Sequence, residues 1–244
     1  MPIQEDRHMR QTLIEEIGTA GQQRLKAARV LVIGAGGLGG PALYYLAAAG
    51  VGSIHIVDTD VVSITNLNRQ ILYTEADLGR SKAQAACQRL SQLDHTLQLI
   101  PHFLQVTQEN IDELLSLVDL VVDCVDNAQT RHIVNAGCVR HRLPLIEGGI
   151  NRFDGYVFPI IPGKTACYAC AHPTVNTNAD GPIPVLGATA GVIGSMQAAT
   201  AVRMLCNLPV SAGIRHLFSL VDLSQHAVPV ARDPYCPICS GLKD

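Results

Sequence analysis

Tryptophan is missing from this 244-residue chain, and aromatic residues make up only 4% of it. A core built on large ring systems is thereby excluded, and one of Val, Leu, Ile and Ala packed between a sheet and helices is expected. No apolar run approaches the ~18 uninterrupted residues of a membrane span. The opening Met1-Pro2-Ile3-Gln4-Glu5-Asp6 lacks the charged-then-apolar pattern of a signal peptide, so a cytoplasmic protein is expected. Charge is also sparse: the formal net charge is −3 and no Lys- or Arg-rich run occurs, which excludes a basic field for nucleic-acid backbones.

The length exceeds the usual ~100–150 residues of a domain, yet α/β folds of this size often stay single. We expect one domain over 1–244, with a helical lead (1–27), a core (28–150) and a second part of different architecture (151–244). Eight cysteines in a reducing compartment point to metal binding or plain burial rather than to disulfides.

Asp6 to Lys26 is charged and amphipathic and reads as one or two helices that pack on a partner. From Ala28 to Gly149, apolar β-branched runs alternate with helical patterns, the signature of βαβ units and a mostly parallel sheet. Strands are expected near 29–33, 53–57, 97–102, 119–124 and 144–147, and helices near 38–49, 81–93, 109–117 and 128–141. After Gly148-Gly149, a strand over 155–161 ends at Pro162-Gly163 and looks antiparallel. The stretch 172–187 has no usable periodicity and reads as a mobile surface loop that covers a site. Ala188 to Cys206 is an Ala-rich helix, followed by strands near 214–221 and 226–231. The fold class is thus α/β: a Rossmann-like sheet extended by antiparallel strands.

Val30 to Ile33 breaks into Gly34-Ala35-Gly36-Gly37-Leu38-Gly39, a G-x-G-x-x-G turn opening a helix. Gly34 permits the tight turn, Gly36 clears room for a phosphate, Gly37 follows it along the loop, and Gly39 lets the helix pack closely on the strand. Asp58 ends the next strand near the ~20-residue interval at which an acid meets a ribose hydroxyl. Alone, this pattern suggests an NAD enzyme.

Other residues argue against that. Asp58 and Asp60 lead into Thr65-Asn66-Leu67-Asn68-Arg69-Gln70, and Lys82 opens the next helix. Loops after parallel strands line the ligand crevice, so Arg69 and Lys82 reach the phosphates that Gly36 and Gly37 approach through backbone. A dehydrogenase has little use for two extra cations there, whereas reaction at an α-phosphate must neutralise a departing pyrophosphate. The plain alternative is that both are solvated surface charges. Asp126, after the strand ending Asp123-Cys124, suits Mg²⁺, or Asp126 or Asn127 caps the next helix.

Cys167-x-x-Cys170 and Cys236-x-x-Cys239 offer four sulfurs for a closed tetrahedral zinc site. The alternatives are two unrelated turns with reduced thiols or a redox pair; neither follows the first strand of a thioredoxin-like unit. Cys87, Cys124, Cys138 and Cys206 read as core fillers.

Taken together, GAGGLGG at 34–40, DTDVVSITNLNRQ at 58–70, the Lys82 helix, DCVDN at 123–127, the paired C-x-x-C and GVIGS at 191–195 resemble the MoeB/ThiF/HesA family of ubiquitin-activating-enzyme-like adenylyltransferases over nearly the whole chain. The resemblance implies ATP, Mg²⁺, a structural zinc and a homodimer. It also implies, as substrate, the C-terminal glycine of a small ubiquitin-like sulfur carrier with a Gly-Gly terminus. By position it makes Asp58 the ribose-binding acid, Asn66, Arg69 and Lys82 the phosphate contacts, and Asp126 the magnesium-associated aspartate. Arg7-His8-Met9-Arg10-Gln11 matches the family's R-x-x-R-Q opening, which sends Arg10 into the neighbouring subunit's site. Many relatives carry a cysteine before the GVIGS run; 175–189 has none, and no rhodanese-like region follows Cys239, so sulfur is expected from a separate donor protein. Two rival readings remain: adenylation of a peptide or small carboxylate, and a non-catalytic dinucleotide-binding module.

Overall fold

The computed structural model of the protein describes residues 7–174 and 183–242. Its helices are α1 (Met9–Thr12), α2 (Gly18–Ala27), α3 (Gly39–Ala48), α4 (Lys82–Leu93), α5 (Ile111–Leu115), α6 (Ala128–His141), α7 (Tyr168–Ala171) and α8 (Gly187–Leu205). Its strands are β1 (Arg29–Ile33), β2 (Ser53–Val57), β3 (Gln98–His102), β4 (Leu120–Asp123), β5 (Leu145–Asn151), β6 (Asp154–Ile160), β7 (Ile214–Ser219) and β8 (Gln225–Pro229). They form one eight-stranded sheet in the order β3-β2-β1-β4-β5-β6-β7-β8. Pairings from β3 through β5 are parallel, and those from β5 through β8 are antiparallel.

The period-two alternation of β1 explains its central place. Val30 and Val32 face one core with Ile54, Ile56, Leu43 and Ile193, while Leu31 and Ile33 face another with Val121, Leu145, Ile111 and Val134. A strand apolar on both faces must be covered on both, as in a doubly wound sheet. The chain leaves β1 toward β2 on one side and returns through β4 on the other, so β1 lies at the point where the strand order reverses and a ligand crevice opens.

Boundaries differ from expectation where local geometry intervenes. β5 runs to Asn151, past the expected end at 147, because a tight hairpin through Arg152 and Phe153 lets β6 pair back at once; Arg152 takes φ 56°. The helix expected over 109–117 shortens to α5. Of the loop expected over 172–187, residues 175–182 lie outside the described residues. Its far end is tied down: Arg152 donates to the Pro184 carbonyl (2.7 Å) and Leu186 donates to the Arg152 carbonyl (3.0 Å). Among the described residues, no helix is long and apolar enough to cross a membrane.

A buried ionic cluster joins the end of β4 and the first half of β5 to α6. Asp123 and Glu147 are register partners, both 0% exposed, and Arg131 ion-pairs with Glu147. Arg131 also donates to the carbonyls of Gly148 (2.7 Å) and Val125 (2.5 Å), and the Tyr156 hydroxyl donates to Glu147 (2.7 Å). Complete burial drives the Asp123 carboxyl above its ordinary range against the pull of Arg131. Removing the only cation of this trio while leaving both acids buried is expected to be severe. Arg131→Met should lose about 3–5 kcal/mol in denaturant unfolding, and Arg131→Met/Glu147→Gln should recover part of that loss.

Candidate functional site

The site begins at the end of β1. Gly34 takes φ +92°, and a Cβ there would sit 2.8 Å from the Cys124 carbonyl oxygen. At Gly39 a Cβ would fall 1.9 Å from the Gly34 carbonyl oxygen, so the first turn of α3 closes on the strand only without a side chain. Gly36 is different. A Cβ there would meet only the Gln70 amide, at 3.5 Å, an ordinary contact. Protein packing therefore does not demand glycine at 36, and the space it leaves suits a group approaching from outside.

Asp58, after β2, faces this turn. Its Oδ2 accepts the Ala35 amide (2.8 Å) and its Oδ1 accepts the Asp60 amide (2.8 Å), which leaves each oxygen a lone pair for a ligand hydroxyl. Burial lifts the Asp58 carboxyl above 3.8, opposed by those two amides and by Lys82.

Lys82 is the first residue of α4, whose N-cap is Ser81. Its ammonium lies 2.8 Å from Asp60 Oδ2; Lys82 is buried and the Asp60 side chain is 62% exposed. The cation is thus fixed, and its counterion is free to turn outward. Arg69 lies across Gly37, where an added Cβ would stand 3.6 Å from Arg69 Cγ. Its guanidinium donates to the Thr65 carbonyl (2.9 Å) and Asn68 Oδ1 (3.1 Å).

Asn66 has a structural duty that its sequence position did not announce. In a 3-10 turn over Ile64–Asn66, its side-chain oxygen accepts the Ser63 amide (3.1 Å), and its NH₂ remains as the donor group. Asn127 caps α6 by accepting the Thr130 amide (2.9 Å), so the cap falls to Asn127 and Asp126 beside it stays exposed. Arg10 is exposed on α1, carried on an N-terminal segment held by Gln11 and Gln22, which both donate to the Ala49 carbonyl (3.0 Å each).

Two contributors were not legible in the sequence. Tyr73 sits in an Ile-Leu-Tyr run that reads as plain core, yet its hydroxyl reaches the Ala35 carbonyl (2.8 Å) and the Lys82 carbonyl (3.2 Å). Gln197, 0% exposed, donates to the carbonyls of Asp123 (2.8 Å) and Ile146 (3.2 Å) and so ties β4 to β5 beneath the crevice. A lone amide inside the apolar face of α8 was the available signal.

The four cysteines meet on the other side of the sheet. Their sulfurs lie within 4.8 Å of one another, with Cys167–Cys170 at 3.9 Å, Cys167–Cys236 at 3.7 Å and Cys170–Cys239 at 3.5 Å. A tetrahedral zinc with bonds of ~2.3 Å requires edges of about 3.8 Å, so the set fits. An outer shell is present: Asn135 donates to Cys167 Sγ (3.5 Å) and accepts the Tyr168 amide (2.9 Å), while Arg232 donates to the carbonyls of Gly163 (2.8 Å) and Cys239 (2.6 Å).

Residues 8–238 match the ThiF family. The chain is 40% identical to the sulfur carrier protein adenylyltransferase of Thermus thermophilus, covering 96% of this chain and 90% of that protein. It is 38% identical to the sulfur carrier protein ThiS adenylyltransferase of Escherichia coli, covering 96% and 95%. Among solved structures, the crystal structure of E. coli MccB with ATP superposes with a TM-score of 0.86 at 24% identity, covering 98% of this chain and 75% of that one, a likeness of fold.

Two outcomes are expected of the nucleotide site. Gly36→Ala should keep the melting temperature and weaken ATP binding at least tenfold by calorimetry, whereas Gly39→Ala should lower the melting temperature by several degrees. Asp58 carries the pH dependence. A carboxyl raised by folding favours the folded state at low pH and loses that contribution as pH rises through its folded-state pKa. A carboxylate must be ionised to accept a ligand hydroxyl without donating in turn, so the affinity of a nucleotide held there should fall on acidification, and Asp58→Asn should flatten that limb.

Proposed function

This chain belongs to the ThiF family, and from that premise we propose that it uses ATP to adenylate the C-terminal glycine carboxylate of a small ubiquitin-like sulfur carrier. Three observations support the reading: Asp58 accepts the Ala35 amide of the glycine turn, the stem of Arg69 lies beside Gly37, and the Lys82 ammonium pairs with Asp60, two residues after Asp58. ATP lies in that crevice with its ribose hydroxyls on Asp58. The carrier's carboxylate forms a bond to the α-phosphorus as the bond to pyrophosphate breaks, giving an acyl adenylate. A carboxylate is already ionised at neutral pH, so neither a general base nor a protein nucleophile is needed.

Charge management is the protein's main contribution. Arg69 and Lys82 meet the negative charge leaving with two phosphates, and Lys82 exchanges Asp60 for the phosphates as they arrive. Asp126, exposed after β4 with the helix cap supplied by Asn127, is the carboxylate that would hold Mg²⁺, which would supply positive charge against the phosphates. Zinc on Cys167, Cys170, Cys236 and Cys239 is structural, with no ligand position open to substrate.

The working unit is a homodimer in the cytoplasm, and the partner's Arg10 completes each site. Apolar side chains left exposed support that assembly: Leu13 and Ile14 near α1, and Tyr45 and Ile71, which line one shallow depression with Pro41 and Tyr44. Sulfur reaches the adenylate from a separate donor protein.

ATP–pyrophosphate exchange tests the acceptor. Exchange is expected only with a carrier ending in Gly-Gly; stimulation by a peptide or a free acid instead would replace the carrier reading, and tight NAD⁺ binding without ATP affinity would overturn adenylation altogether. Arg69→Ala should lower exchange by two orders of magnitude or more with little change in melting temperature. Cys236→Ala should reduce bound zinc and lower the melting temperature, and equal stability losses in the two variants would contradict this division of roles.

A further inference from the structure

A closed circuit of hydrogen bonds joins the segments around the nucleotide space. The Ala35 amide donates to Asp58 Oδ2 (2.8 Å), the Asp60 amide donates to Asp58 Oδ1 (2.8 Å), and the Lys82 amide donates to the Asp60 carbonyl (3.0 Å). The Tyr73 hydroxyl returns the circuit to its start by sharing its one proton between the Ala35 carbonyl (2.8 Å) and the more distant Lys82 carbonyl (3.2 Å). Four members, Ala35, Asp58, Asp60 and Lys82, contribute backbone or acid groups, and Tyr73 enters from outside as a buried phenol in the core shared with α3.

We propose that Tyr73 is a positioning residue for adenylation: its hydroxyl sets the spacing between the glycine turn that seats the phosphates and the Lys82 ammonium that neutralises them. The inference rests on the reading of this crevice as an ATP site. The geometry leaves few substitutes. Without the hydroxyl, the start of α4 connects to the glycine turn through Asp58 and the Asp60 loop, and Asp60 is largely exposed. Ala35, 0% exposed, would also keep a carbonyl with its donor removed, which invites the turn to move. Burial holds the Tyr73 hydroxyl well above the usual phenol range, so it stays protonated and acts as a donor, never as a base. Displacements of about 1 Å in such a site cost roughly a hundredfold in rate, and loss of one positioning bond is expected to cost about tenfold.

A double-mutant cycle separates positioning from bulk stability. Tyr73→Phe keeps the ring that fills the core. Calorimetry with a non-hydrolysable ATP analogue should show about tenfold weaker binding for Tyr73→Phe in the wild-type background and less than twofold in a Lys82→Ala background. Equal fold-losses in both backgrounds, or no loss in either, would overturn the proposal. A second measurement needs no variant: the amides of Ala35 and Lys82 should gain hydrogen-exchange protection by the same factor when the analogue binds, and protection of one without the other would overturn it too. Pyrophosphate exchange keeps the two readings apart. A non-additive cycle in a protein that exchanges pyrophosphate with no carboxylate would end the adenylation reading and leave the Tyr73 circuit standing. An additive cycle in an active enzyme would end the Tyr73 proposal alone.

Discussion

The Asp58 carboxylate is where the two halves of the nucleotide crevice are held at a fixed distance. One oxygen takes the amide of the glycine turn after β1, and the other takes the amide of the acid loop after β2. Neither loop has regular structure, and each would otherwise wander relative to the strand that delivers it. Burying an ionised carboxyl is unfavourable in itself, as its raised pKa records, and two backbone donors offset that cost. The acid loop so anchored presents Asp60 to the Lys82 ammonium at the start of α4.

Support from below comes from groups of the opposite character. Gln197 and Arg131 reach the C-terminal end of β4 and the first half of β5 from opposite faces of the sheet, one from α8 and one from α6, and both bond backbone carbonyls there. Asp126 follows a turn whose Val125 carbonyl is fixed by Arg131. The crevice floor is therefore a polar network within an aliphatic core, held by buried side chains that bond backbone carbonyls of neighbouring segments.

The parallel half of the sheet was legible because β1 and β4 are apolar runs and β2 is one broken only by His55, each ending at glycine or aspartate, and β5 was legible at its start. The end of β5 was not, since Gly148-Gly149 reads as a break and becomes strand only through pairing with β6. In the site, the glycines, Asp58 and Lys82 were visible by spacing. Tyr73 and Gln197 were hidden, because a side chain that bonds distant backbone leaves no local periodicity. The role of Asn66 was half visible: its place in the loop was clear, whereas its bond to the Ser63 amide emerged only with the turn. For the cysteines, the spacing within each pair was informative, and the distance between pairs depended on the antiparallel half folding back.

That last feature bears on how the chain acquires its structure. Cys167 and Cys170 leave β6 long before Cys236 and Cys239 appear, and α8, β7 and β8 lie between. Contacts between such remote points form slowly, since a long loop must close before they stabilise anything. During synthesis the first thiol pair emerges with two of the four sulfurs, and the second pair follows only after the intervening helix and hairpin have left the ribosome. Joining the pairs is then a late event that locks the antiparallel half onto a nucleotide fold already formed.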